Sequence, residues 1–175
     1  MAAVSLPSFV KYLRAFNARD YDTQHAFYAD DITLNLPYVE PLVGKDAITA
    51  QYAQIHPIAD EAVIPMDIVY NGRTFIVPKR TIFRLRQDVP ELMGLKDLKR
   101  GDVIVYTAYL QYYFNKEGKI RQIDLTTLSD ERQLGPRLLL RGTDFVEVVD
   151  GYQKAAAEDF GVWDTAAMKG TAWLD

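Results

Sequence analysis

The chain has 175 residues, 49% of them hydrophobic, and a formal net charge of −4. That length supports one substantial core and is short for two, while the acidic balance argues against nucleic acid, since phosphate binding requires a basic surface. Cysteine is absent, which excludes disulfides, thiolate metal sites and cysteine nucleophiles. No apolar run is long enough to cross a bilayer, and the amphipathic start MAAVSLPSFVKYLRAF lacks the charged head and long apolar core of a secretory signal. The expectation is a soluble, cytoplasmic protein with no membrane partner, residues 1–175 forming a single domain with an extension from about residue 130.

In chain order, Phe9, Leu13 and Phe16 recur at helical spacing and predict a helix over about 8–19, with Ser8 as its cap. A short helix follows over about 22–29, and residues 32–37 alternate like a strand. Gly44 and Asp46 open a third helix with Ile48, Tyr52 and Ile55 on one face, and Pro57 ends it. From Ala62 the pattern changes to strands, VIPMDIVY and RTFIVPKRTIFRLR, around the hairpin pair Asn71-Gly72. Pro65 and Pro78 interrupt these strands and belong at an edge or a bulge, which implies a strongly bent sheet. Residues 87–100 are a longer connection, read as an ordinary surface loop in preference to a cover for a pocket mouth. Lys96, Lys99 and Arg100 within it read as solvated. A last helix is expected over about 144–158, with Asp144 and Glu147 at capping-box spacing, followed by a tail carrying Phe160, Trp163 and Trp173 that is suited to packing over a pocket or a partner subunit.

Residues 101–128, GDVIVYTAYLQYYFNKEGKIRQIDLTTL, predict two long strands joined by a tight turn at Gly118 and carry four of the eleven tyrosines. The odd positions include Val105, Thr107, Tyr109, Gln111 and Tyr113; the even ones include Ile104, Tyr106, Leu110 and Tyr112. Because a binding pocket is mostly apolar with a few placed polar groups, the mixed odd face is read as the pocket wall. A three-residue turn sets Tyr113 opposite Arg121 and Tyr109 opposite Leu125, whereas a four-residue turn sets Tyr109 opposite Asp124.

Helices first, then Val43-Gly44-Lys45-Asp46-Ala47-Ile48, then a bent antiparallel sheet with the turn Glu117-Gly118-Lys119-Ile120: this order resembles the SnoaL-like branch of the nuclear transport factor two-like superfamily, over about residues 9–128. The resemblance implies an α+β fold, a cone-shaped α+β barrel in which a curved antiparallel sheet wraps around N-terminal helices and leaves an apolar pocket. It also implies a cofactor-independent isomerase or cyclase acting on a small hydrophobic metabolite, and commonly a homodimer. A closer likeness is to fungal enzymes that steer semipinacol rearrangements of oxidised indole alkaloids. Dehydratases, epoxide hydrolases and non-catalytic dimerising modules share the superfamily, so the residues must decide.

Two carboxylates compete for the acid–base role. Asp124 is supported by its position on the last strand, where relatives carry a catalytic carboxylate. Glu131 lies just past that strand, at the cone mouth, and is preferred. Its expected role is base or proton shuttle, with Tyr113 as proton donor and Tyr109 orienting the substrate. Tyr38, beside Pro37, is expected at the pocket mouth and on the substrate. A helix histidine can be catalytic in dehydratase and cyclase relatives, but His25, standing alone, is read as structural in preference to that, and His56 as a helix-end residue favoured there by the helix dipole. Neither histidine sits in a metal-ligand pattern, so no metal and no cofactor are expected.

Overall fold

The computed structural model describes residues 5–37, 39–71, 73–127 and 137–160. Helix α1 (Leu6–Asn17) starts two residues earlier than the periodicity suggests. Its cap is Ser5, which accepts from the Ser8 N–H, and a proline sits in its first turn, where no donor is lost. Helix α2 (Tyr21–His25) is capped by Asp20. Strand β1 (Tyr28–Asn35) and the short β2 (Leu42–Val43) lead to α3 (Lys45–Ile55), entered through Gly44 at φ 86°. There follow β3 (Ala59–Pro65), β4 (Val69–Tyr70), β5 (Thr74–Leu85), β6 (Val89–Leu92), β7 (Leu95–Leu98), β8 (Val103–Phe114), β9 (Ile120–Thr127), β10 (Arg137–Leu140) and α4 (Phe145–Phe160).

The main sheet runs β2-β1-β9-β8-β5-β3, with β10 added to β8 and β4 to β5. Every pairing in it is antiparallel except β1 with β9. The end strands β2 and β3 do not meet, so the curved sheet is unclosed and holds the helices in its concavity, the α+β cone expected. Both prolines sit where a missing N–H costs no ladder bond. Pro65 ends β3 at the sheet edge, and Pro78 faces the break between β3 and β4, its carbonyl accepting from the Met66 N–H at 2.7 Å.

Helix α1 fills the concave side. Phe9 stacks on Phe75 at 4.5 Å and meets the edge of Tyr112 at 4.8 Å, while the Asn17 amide bonds both the N–H and the C=O of Val63, each at 2.8 Å. Helix α4 lies across the outer face, where Phe145 and Val149 join Ile82, Val103 and Val105 in the core and Arg80 and Arg84 lie over the Tyr152 and Phe145 rings. It therefore covers part of the outer face of the sheet. Beneath its start, the fully buried Asp60 accepts from Arg84 and Arg86, with Arg19 at 3.7 Å. Residues 87–100 are not a plain loop but the hairpin β6–β7, with Met93 and Gly94 at its tip in left-handed conformation.

Candidate functional site

The concave face of the sheet, α1, α3 and the β6–β7 hairpin enclose a cavity of about 540 Å³, within the range of small-molecule sites. Tyr12, Leu13 and Phe16 line it from α1, and Gln51, Tyr52 and Ile55 from α3. The sheet contributes Leu34, Ile123 and Leu125 near one end and Glu61 and Val63 at the other. The tip Glu91 to Gly94 overhangs it, so this segment does cover a pocket, correcting its reading as an ordinary surface loop.

Strand alternation decides which tyrosines point inward, and it selects the even series of β8: Tyr106, Leu110 and Tyr112 line the cavity. The expectation that the odd series forms the wall is corrected. Tyr109 and Tyr113 lie on the opposite, outer face, because the hydrophobic even series is the one the core demands. The turn follows neither simple register. Phe114 pairs Ile120 as in the three-residue reading, then an irregularity leaves Arg121 unopposed, and Tyr113 meets Gln122, Gln111 meets Asp124 and Tyr109 meets Thr126. Asp124 therefore does share a face with Tyr113, but outside the cavity. It accepts from the Asn35 amide at 2.6 Å and the Gln122 amide at 3.0 Å. Burial and the Asp124 carboxylate raise the Tyr113 phenol. Glu131 and Tyr38 lie outside the described residues.

The polar groups that do face the cavity come from elsewhere. Glu61 sits on β3 with its carboxylate 3.3 Å from His56 Nε2, and Tyr21 O–H reaches His56 Nδ1. In the tautomer with a proton on Nε2, Tyr21 donates to Nδ1 and the imidazole donates to Glu61, a continuous chain from the α2 surface to the cavity wall. The rings of Tyr21, Tyr52 and His56 stack nearly parallel and hold it in place. His56 ends α3 as expected, but it also positions Glu61. His25 does not line the cavity; it pairs with Thr49 Oγ1 at 3.3 Å between α2 and α3, and burial lowers its basicity.

Deeper in, Tyr12 and Tyr28 hydroxyls lie 3.2 Å apart, and the Gln24 amide donates to Tyr28 at 2.7 Å. Burial pushes the phenols of Tyr12, Tyr28, Tyr52 and Tyr112 up, so they stay neutral and act as hydrogen-bond donors rather than bases. On β5 the cavity is faced by Lys79 and Thr81. Lys79 is 6% exposed, and burial pushes its ammonium down to about 8, with Glu61 acting weakly the other way. Sequence reasoning passed over these residues, yet a signal was present. The inward series of β5 reads Phe75, Val77, Lys79, Thr81, Phe83, Leu85: a cation in the middle of an apolar face. Among the described residues, no group of three or more potential metal ligands occurs, and no helix is long and apolar enough to cross a membrane.

A sheet curled around helices over an apolar cavity with a few fixed polar groups is the architecture of small-molecule cone folds. The chain belongs to the SnoaL-like domain family, whose model matches residues 9–123. Solved structures agree on the fold. A candidate polyketide cyclase from Xanthomonas campestris aligns at TM-score 0.55 and 20% identity over 66% of this chain and 83% of its own. An NTF2-like protein of unknown function from Burkholderia pseudomallei aligns at 0.55 and 13%, over 69% and 87%. An LEH-like epoxide hydrolase from Mycobacterium tuberculosis aligns at 0.53 and 11%, over 74% and 84%. At these identities the likeness is one of fold. No curated protein matches the chain.

Proposed function

We propose that the chain is a cofactor-independent isomerase or cyclase that rearranges a bulky, largely apolar metabolite by moving protons within the cavity. The observation that carries this reading is Glu61, a carboxylate on an apolar cavity wall held by a His56–Tyr21 chain that can pass protons to and from it. Such a group serves as base in one half of a rearrangement and as acid in the other. The aromatic walls, Phe16, Tyr52, Phe83 and Tyr112, suit a flat polycyclic substrate and fix the face it presents.

Within this class the semipinacol rearrangement of an oxidised indole alkaloid is the specific reaction we favour. Glu61 takes the hydroxyl proton of a hydroxyindolenine, and the oxygen forms a carbonyl as the neighbouring carbon substituent migrates to the imine carbon. That carbon's π electrons move to nitrogen, which takes up a proton. Atoms are conserved and no oxidant is needed. Glu61 takes the shuttle role in this proposal because it faces the cavity; Glu131, expected in that role, lies outside the described residues.

The test incubates metal-stripped protein with hydroxyindolenine and polyketide substrates and follows products by chiral chromatography and mass spectrometry. The expected result is a product of unchanged mass, formed faster or with other stereochemistry than in buffer, and turnover lost on Glu61→Gln. Gain or loss of water moves the assignment to an epoxide hydrolase or dehydratase. No product across the panel refutes the catalytic reading and leaves a binding module.

A further inference from the structure

Two polar groups on β5 face the cavity without partners among the described residues. Lys79 is 6% exposed and forms no hydrogen bond or ion pair among the described residues, although buried lysines are ordinarily paired. Its cross-strand neighbours explain why: Pro65 on β3 and Ala108 on β8 offer no polar side chain. One rung along the same face, Thr81 is 1% exposed and its buried hydroxyl has no hydrogen-bond partner among the described residues. Its neighbours are Val63 and Tyr106. Residues two apart on a strand share a face at about 7 Å, so an ammonium and a hydroxyl converge on one part of the wall. Buried donors left unmade are costly, and the cost is recovered when a ligand supplies the acceptor.

We propose that Lys79 and Thr81 form an oxyanion site, which takes an apolar substrate by an oxygen that is anionic or becomes so during reaction: an enolate, phenolate or alkoxide. The inference rests on the acid–base reading above and adds the substrate class. Glu61 is committed to His56 on a different part of the wall, and Glu91 sits on the exposed hairpin, so neither carboxylate shares the rung of Lys79. A proton removed by Glu61 leaves charge on the substrate, and the donors that stabilise it are already in place before reaction. At neutral pH the ammonium is predominantly charged, since its loss of a proton falls at about 8.

The test is binding, so it does not depend on turnover. Isothermal titration at neutral pH compares 4-nitro-1-naphthol, present as its naphtholate, with the corresponding methyl ether, which keeps shape and loses charge. The wild-type protein is expected to bind the naphtholate on the order of tenfold to a hundredfold tighter, the scale of a hydrogen bond to a charged group. Lys79→Met removes that preference while ether binding persists, and Thr81→Val reduces it severalfold. Equal binding of the two probes by the wild type, a preference that survives Lys79→Met, or no saturable binding of either probe overturns the site. Naphtholate preference alongside unchanged turnover in Glu61→Gln separates failure of the acid–base reading from failure of this one.

Discussion

Replacing Lys79 by Met should make the protein more stable at neutral pH, and by an amount that vanishes as pH rises. The ammonium of Lys79 gives up its proton at about 8 in the folded protein against 10.5 in the unfolded chain. Below pH 8 both states are charged and the folded one bears the cost of burying the charge. Between about 8 and 10.5 the unfolded chain binds more protons, so wild-type stability rises with pH through this window. Above it both states are neutral and the cost is gone. At about 1.4 kcal/mol per pH unit, the difference amounts to roughly 3 kcal/mol at pH 7. With a urea m-value of about 2 kcal/mol/M, the midpoint of the variant should lie roughly 1 to 2 M higher. The assay is urea unfolding of both proteins at several values from pH 7 to pH 11, plotting variant minus wild type. The other titratable groups around the cavity, Glu61 on β3, Glu91 on the hairpin, Tyr12, Tyr52, Tyr106 and Tyr112, are common to both proteins. The pH-dependent part of the difference therefore isolates Lys79 and its coupling to Glu61. A difference that stays flat across this range would refute the assignment of Lys79 as an unpaired buried cation.

Asn17→Ala strands the N–H and C=O of Val63 and unhooks α1 from β3, and should cost about 2 to 4 kcal/mol by denaturant unfolding. Asp60→Asn leaves Arg84 and Arg86 without their shared carboxylate and should cost about 3 kcal/mol at pH 7. Burial raises the Asp60 pKa, but hydrogen bonds from Arg86 and Arg84 outweigh it and hold the net value below 3.8. Its contribution is therefore present above that value and lost as pH falls further, and acid unfolding of wild type and variant should converge at low pH. Tyr21→Phe removes the outer end of the proton chain and should lower turnover less than Glu61→Gln, for which a loss of about 10²- to 10⁴-fold is expected; steady-state kinetics orders the two.

The elements were legible because their signals are local. Helical spacing in Phe9, Leu13 and Phe16, the prolines at 65 and 78, and the left-handed turn at Gly118, φ 79°, each act within a few residues. Their order carried the resemblance that implied the curved α+β fold. The site was less legible, because which strand face turns inward is a property of the packed sheet. Tyr109 and Tyr113 have as much chemistry in them as Tyr106 and Tyr112, and only the burial of the even series by α1 separates the pairs. The bulge beyond Phe114 moved Asp124 beside Gln111, a shift of one residue that no composition of the strand announces. Glu61, His56 and Tyr21 are brought together from β3, the end of α3 and the start of α2, far too spread to form a motif. By itself the sequence determined the long helices and strands, since propensity and periodicity are written residue by residue, and an order of elements that resembles the cone fold, but it missed the hairpin β6–β7. The tertiary structure alone decided which side chains share a cavity, since that depends on register and on which face the core covers.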